Sequence, residues 1–150
     1  MPHDAFRKLV WAERLVPASP DRIFNLLADP TQHPAIDGSG SVVAPRTGGP
    51  ARLSLGAKFS MDMRIVLPYR MPNRVVEFVE NERIAWRPAG RQVWRYILSP
   101  APGGTLVREE FDYSRYVGRF ALRPLKVPAG NERWIERTLD NLARHFGASA

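Results

Sequence analysis

The 150 residues contain no cysteine, which removes disulfide frameworks, thiolate nucleophiles and cysteine-ligated zinc together. This fits a reducing cytoplasm, the compartment the sequence predicts. Histidine is scarce. His3, His33 and His145 lie far apart, and a metal site would need carboxylates to join them in space, so no metal and no other cofactor is expected. Long apolar runs are missing as well. The opening MPHDAFRKLVWAERLV is charged every few positions, and no segment approaches the ~18 apolar residues of a membrane span. HExxH, Walker A, the dinucleotide-binding glycine pattern and GxSxG do not occur, and GSGS at 38–41 reads as a loop.

Lysine is nearly absent: of 22 basic residues only Lys8, Lys58 and Lys126 are lysine, so the formal charge of +7 is carried by arginine. The arginines are scattered through the chain. Nucleic-acid binders concentrate charge and interleave it with exposed aromatics, so a solvated surface is expected here and nucleic acid is not. With 44% hydrophobic and 25% charged residues the chain is ordinary for a globular fold, and its length predicts one domain over residues 1–150.

Strand patterns dominate the middle. KLVWAERLV predicts a first strand over Leu9 to Val16, stopped by Pro17. In SPDRIFNLLADP, Ser19 is placed to cap a helix with Pro20 at its first position, a stripe of Ile23, Leu26 and Leu27, and an end at Pro30. TQHPAI predicts a second short helix or a turn, and Ser41 to Pro45 a short strand. KFSMDMRIVL alternates, with Phe59, Met61, Met63, Ile65 and Leu67 on one face. RVVEFVE, RIAWRP, QVWRYILSP and TLVREEFDYS continue the strands across short turns. NERWIERTLDNLARHF closes with a long helix, Asn131 its cap and Ile135, Leu139, Leu142 and Phe146 its stripe. Strands in series with helices at the ends predict an α+β fold.

That order resembles the helix-grip architecture of the START-like (SRPBCC) superfamily. The resemblance is carried by VPASPDRIFNLLADPTQHPAIDG after the first strand, ERIAWRP on a middle strand and VWRYILSPAPGGTLVREEFDYS on the last hairpin. These segments look like the polyketide cyclase/dehydratase-like branch. The resemblance implies a curved antiparallel sheet of about seven strands wrapped around the carboxy-terminal helix, with a cavity between them for a hydrophobic ligand.

Alternation nominates Phe59, Met61, Met63, Phe78, Ile84, Trp86, Trp94, Tyr96, Phe111 and Tyr113 as side chains on the sheet's apolar face, either lining a cavity or filling plain core. Trp134, Thr138 and Asn141 recur beside the stripe of the last helix and face either the ligand or an exposed flank. Glu109 shares its face with Val107, Phe111 and Tyr113. A carboxylate there would be desolvated into an acid or base, unless it pairs with an arginine or sits at a bulge. Tyr96 and Tyr113 are positioned as hydrogen-bond donors to a ligand carbonyl or as satisfied core tyrosines. His33 would stand near the cavity mouth of the resembled fold, where it titrates in a useful range; the simpler reading of its position is a surface turn. Glu109, Tyr96 and His33 are therefore the candidate catalytic residues. Arg115, Arg119 and Arg123, with Tyr116 and Phe120 alongside, form a candidate contact for an anionic surface if their segment is helical, and otherwise a solvated connection.

The expected function is binding or transport of a lipid-like, polyketide-like or aromatic molecule. The alternatives are a cyclase or dehydratase using the same cavity and, more remotely, a module that binds nucleic acid or anionic surfaces.

Overall fold

The computed structural model describes residues 3–4, 8–64, 67–89, 91–114 and 127–147. Its elements are β1 (His3–Asp4), β2 (Leu9–Val16), α1 (Pro20–Leu27), a 3-10 turn (Pro30–Gln32), α2 (His33–Ile36), β3 (Val42–Pro45), β4 (Lys58–Arg64), β5 (Pro68–Val79), β6 (Arg83–Pro88), β7 (Val93–Ala101), β8 (Gly104–Asp112) and α3 (Val127–His145). The strands form one antiparallel sheet in the order β1-β2-β8-β7-β6-β5-β4-β3. The helix-grip expectation holds, with the two-residue β1 added at one edge.

One face of this sheet is apolar and must be covered. α3 covers β2 and β8, burying Ile135, Leu139 and Leu142, while α1 covers the β6–β7 region with Ile23, Phe24 and Leu27. Phe24 meets Phe78 edge to face at 5.2 Å. Arg14 on β2 reaches Asp140 on α3 and ties the helix to the sheet margin.

Several local expectations are corrected. α1 stops at Leu27, and Pro30 opens the following 3-10 turn, where Asp29 accepts from the Thr31 amide. Ser19 holds the cap position, but its side chain makes no capping bond. α3 begins before Asn131, which lies inside the helix and does not cap it. β5 also begins before RVVEFVE. Residues 68–72 pair only with β4, so this half of the strand is an edge where Pro72 removes no interior hydrogen bond. Ile65 lies outside the described residues, as do Arg115, Arg119 and Arg123 with the short helix considered for them. Among the described residues no helix is long and apolar enough to cross a membrane.

The segment between α2 and β3 closes one end of the grip. Asp37 accepts from the amides of Ser39 and Val42 and from the Ser39 hydroxyl, which fixes the loop. Gly38 donates its amide to Thr138 Oγ1 at 2.8 Å, and Asn141 Nδ2 donates to the Ile36 carbonyl at 3.2 Å. Two side chains of α3 thus hold the rim.

Candidate functional site

A cavity of about 290 Å³ lies between the inner face of β4–β8, α3 and the α2–β3 rim. Its walls follow from strand alternation: Phe59, Met61 and Met63 from β4, Trp86 from β6, Trp94 and Tyr96 from β7, and Glu109 and Phe111 from β8. Trp134, Ile135 and Thr138 close it from α3. Trp134 is 37% exposed and stands at the mouth.

The aromatics form two groups. Trp86 stacks on His33 at 4.8 Å and also meets Phe59 at 5.9 Å and Tyr96 at 5.6 Å. Trp94 packs on Phe111 at 4.6 Å, and Phe111 on Tyr113 at 5.8 Å. Rings and thioethers of this kind give a cavity adaptable in shape and apolar in character.

Its polar content is small and concentrated. β8 pairs with β2 and β7 in unbroken register, so Glu109 is not at a bulge, and its cross-strand neighbours are Ala12 and Tyr96. The side chain points inward with 3% exposure and, among the described residues, has no arginine partner. Tyr96 donates its hydroxyl to Glu109 Oε1 at 2.9 Å, and Oε2 is buried without a partner. Burial pushes the Glu109 carboxyl up to about 8; the Tyr96 bond opposes the shift and the Asp37 charge adds to it. Near pH 7 Glu109 is therefore mostly a neutral acid. Because Oε1 already accepts from Tyr96, Oε2 is the natural site for its proton, a hydrogen-bond donor with no acceptor among the described residues. Burial and the neighbouring Glu109 raise Tyr96 well above the ordinary phenol range, so it stays a donor. Gln92 Oε1, also in the cavity wall, is a second buried oxygen without a partner.

His33 is not on a surface turn. It is 8% exposed, and its Nε2 lies 2.8 Å from the Leu27 carbonyl, so Nε2–H donates and Nδ1 is left as the acceptor. Burial lowers its pKa below the ordinary imidazole value, against the Leu27 bond and the charges of Asp29 and Asp37.

Of the residues nominated from sequence, four do not line the cavity. Phe78 packs under Arg52 and against Phe24, Tyr113 lies behind Phe111, and Asn141 holds Ile36. Ile84 is fully buried core. Sequence reasoning missed Asp37, Tyr69, Met71, Asn73 and Gln92, which also line the cavity. Met71 and Asn73 share the parity of the buried Val75, and the register shift between Val75 and Glu77 sets them out of step with Phe78, so alternation counted back from Phe78 passes them by; Asp37 and Gln92 lie outside the strands, where no periodicity marks a face.

The sequence matches the family described as polyketide cyclase / dehydrase and lipid transport over residues 9–147. The chain belongs to that family. Two proteins of Mycobacterium tuberculosis, the uncharacterized proteins Rv0088 and MT0096, are 41% and 40% identical over 101 residues, 65% of this chain and 44% of each relative. The matched stretch thus spans under half the length of those relatives. The fold is shared with a crystal structure from Rhodobacter sphaeroides at TM-score 0.72 and 16% identity, covering 96% of this chain and 95% of that one. Protein Ms6760 of Mycobacterium smegmatis aligns at TM-score 0.69 and 16% identity, over 95% of this chain and 96% of that one. Membership in the polyketide cyclase / dehydrase and lipid transport family agrees with the helix-grip sheet and the hydrophobic cavity beneath it.

The Tyr96–Glu109 bond makes a separable prediction. Tyr96→Phe leaves both Glu109 oxygens without a partner, so stability is expected to fall by about 1–3 kcal/mol. The Glu109 carboxyl should then titrate at a higher pH than in the wild type, because the lost bond favoured its ionised form. Urea unfolding checks the first effect, and NMR titration of the labelled Glu109 carboxyl the second.

Proposed function

We propose that the protein binds and carries a small hydrophobic molecule, aromatic, polyketide-like or lipid-like, in the cavity between the sheet and α3, within the cytoplasm. The observation that carries this reading is the cavity: about 290 Å³, at the small end of ligand pockets, walled by aromatic and methionine side chains. The ligand's apolar body lies among Phe59, Met61, Met63, Trp86, Trp94 and Phe111. Its polar end meets Glu109 and Gln92, whose free oxygens offer a donor and an acceptor. Trp134 shields the mouth.

Titration with the neutral fluorescent aromatic 1-aminoanthracene tests the reading. The wild type should give a saturable fluorescence rise, and Met71→Trp, which fills part of the cavity from β5, should weaken it at least tenfold. Equal binding by the two proteins would place the probe elsewhere and overturn the assignment.

A second reading, acid–base catalysis of a cyclisation or dehydration, is favoured by one observation: a neutral carboxyl at pH 7 beside a phenol donor inside an apolar cavity. In that reading Glu109 transfers the proton, the Tyr96 hydroxyl turns from Glu109 Oε1 to donate to a developing oxyanion, and the Nδ1 lone pair of His33 is a second base. A panel of polyketide-like substrates decides it: Glu109→Gln should abolish turnover while binding persists. No turnover by the wild type would leave the carrier reading alone for that panel.

A further inference from the structure

The outer face of the sheet is charged, and its charges are unevenly paired. Towards β2 they alternate in sign: Arg108 pairs with Glu13 and Glu110, and Arg95 with Glu77, Glu110 and Asp112. Across β4, β5 and β6 the pattern breaks. Lys58 stands directly opposite Arg74, and Arg74 directly opposite Arg87, so three cations lie in one cross-strand row. Strand spacing puts neighbours in that row about 4.8 Å apart at the backbone. Arg70, four residues from Arg74 on the same strand, lies roughly 13 Å further along it.

Like charges directly opposite one another destabilise a sheet. Among the described residues none of Lys58, Arg70, Arg74, Arg87 or Arg91 has a carboxylate partner, and all five are exposed. They border a groove of about 1220 Å³, walled on one side by the Thr47–Gly49 turn. Lys58, Arg74 and Arg87 alternate with the cavity-facing residues of their strands and so project from the opposite face of the sheet; Phe59, Asn73 and Pro88 border both the groove and the ligand cavity, and the function proposed above does not use the cations.

We propose that this groove is a docking site for an acidic segment of a partner protein. Charge complementarity selects the partner, and three features select its class. Three cations share one cross-strand row and Arg70 lies roughly 13 Å further along β5, so the charges span more than one anion and suit a series of carboxylates better than a single phosphate. Among the described residues the one aromatic side chain bordering the groove is Phe59, which is 5% exposed, so single-stranded nucleic acid finds no exposed stacking platform there. The surface is recessed between the Thr47–Gly49 turn and Arg91, whereas a bilayer presents a flat one. Arginine forks at Arg70, Arg74 and Arg87 match carboxylates in bidentate geometry.

The test uses the full chain and a fluorescein-labelled twelve-residue glutamate-rich peptide, followed by anisotropy at several salt concentrations. Saturable binding that weakens with salt is expected. The double variant Arg74→Gln/Arg87→Gln should lose at least tenfold in affinity, and the control Arg133→Gln on α3 should lose less than twofold. Removing like-charge neighbours should leave the double variant at least as heat-stable as the wild type, so lost binding cannot be ascribed to unfolding. Three results would overturn the proposal: no saturable peptide binding, an equal loss in the α3 control, or tighter binding of twelve-residue oligothymidylate or of phosphatidylglycerol vesicles than of the peptide.

Discussion

At pH 9 the Glu109→Gln variant is expected to melt on the order of 10 °C above the wild type, and at pH 4 the difference should nearly vanish. The reason is a mismatch between folded and unfolded carboxyl groups. In the fold, burial holds the Glu109 carboxyl at about 8, against 4.5 for the free group. Between those values the folded chain keeps a proton that the unfolded chain has released, so stability falls as pH rises from 4.5 towards 8 and levels off above. A gap of about 3.5 pH units, from 8 minus 4.5, corresponds to roughly 5 kcal/mol. Glutamine keeps the size of the side chain and an acceptor for Tyr96 but never carries the charge. His33 works in the opposite direction. Its folded pKa lies below 6.5, so its contribution is present above 6.5 and is lost as pH falls from there towards the folded value. The variant should therefore lose the alkaline decline and keep the acid one. Melting curves followed by circular dichroism from pH 4 to pH 9 give the comparison, and parallel profiles for the two proteins would show that Glu109 is not a buried neutral acid.

Gly38→Ala is the second large expectation, because the α2–β3 rim touches α3 backbone to backbone. A Cβ at residue 38 would stand 2.2 Å from the Trp134 carbonyl oxygen and 2.6 Å from both Arg137 Cβ and the Thr138 nitrogen. None of these is the end of a flexible side chain, so either the rim or the helix must move. Overpacking of this kind costs about 3 kcal/mol, near 10 °C in melting temperature for a domain of this size. The displacement also separates Thr138 from the Gly38 amide and opens one wall of the cavity. The variant should therefore lose 1-aminoanthracene affinity along with stability. A wild-type melting temperature would show that the rim does not bear on α3.

The sheet was legible in the sequence because a half-buried strand repeats every two residues, and Phe59, Met61, Met63, Trp94, Tyr96, Glu109 and Phe111 fell on the cavity side by that rule alone. Phe78 shows where the rule stops serving. The register between β5 and β6 shifts between Val75 and Glu77, so the alternation slips near Val76, and Phe78 reaches the apolar face only at the α1 end, away from the cavity. The first turn of α3, VPAG, reads as a connection because it holds proline and glycine, which hid the true helix start. His33 was placed by the resemblance, but its burial depends on the Leu27 carbonyl and the Trp86 ring, neither of which is signalled by local sequence. The basic row was hidden for a related reason. Lys58, Arg74 and Arg87 are distant in the chain and become neighbours only through strand register.

Native mass spectrometry of the freshly purified protein tests the binding role most directly. A small-molecule adduct is expected that dissociates on collisional activation and is depleted in Met71→Trp, and its extraction would give the ligand's chemical class. The bare chain mass alone, together with no saturable binding of 1-aminoanthracene, would contradict a hydrophobic carrier.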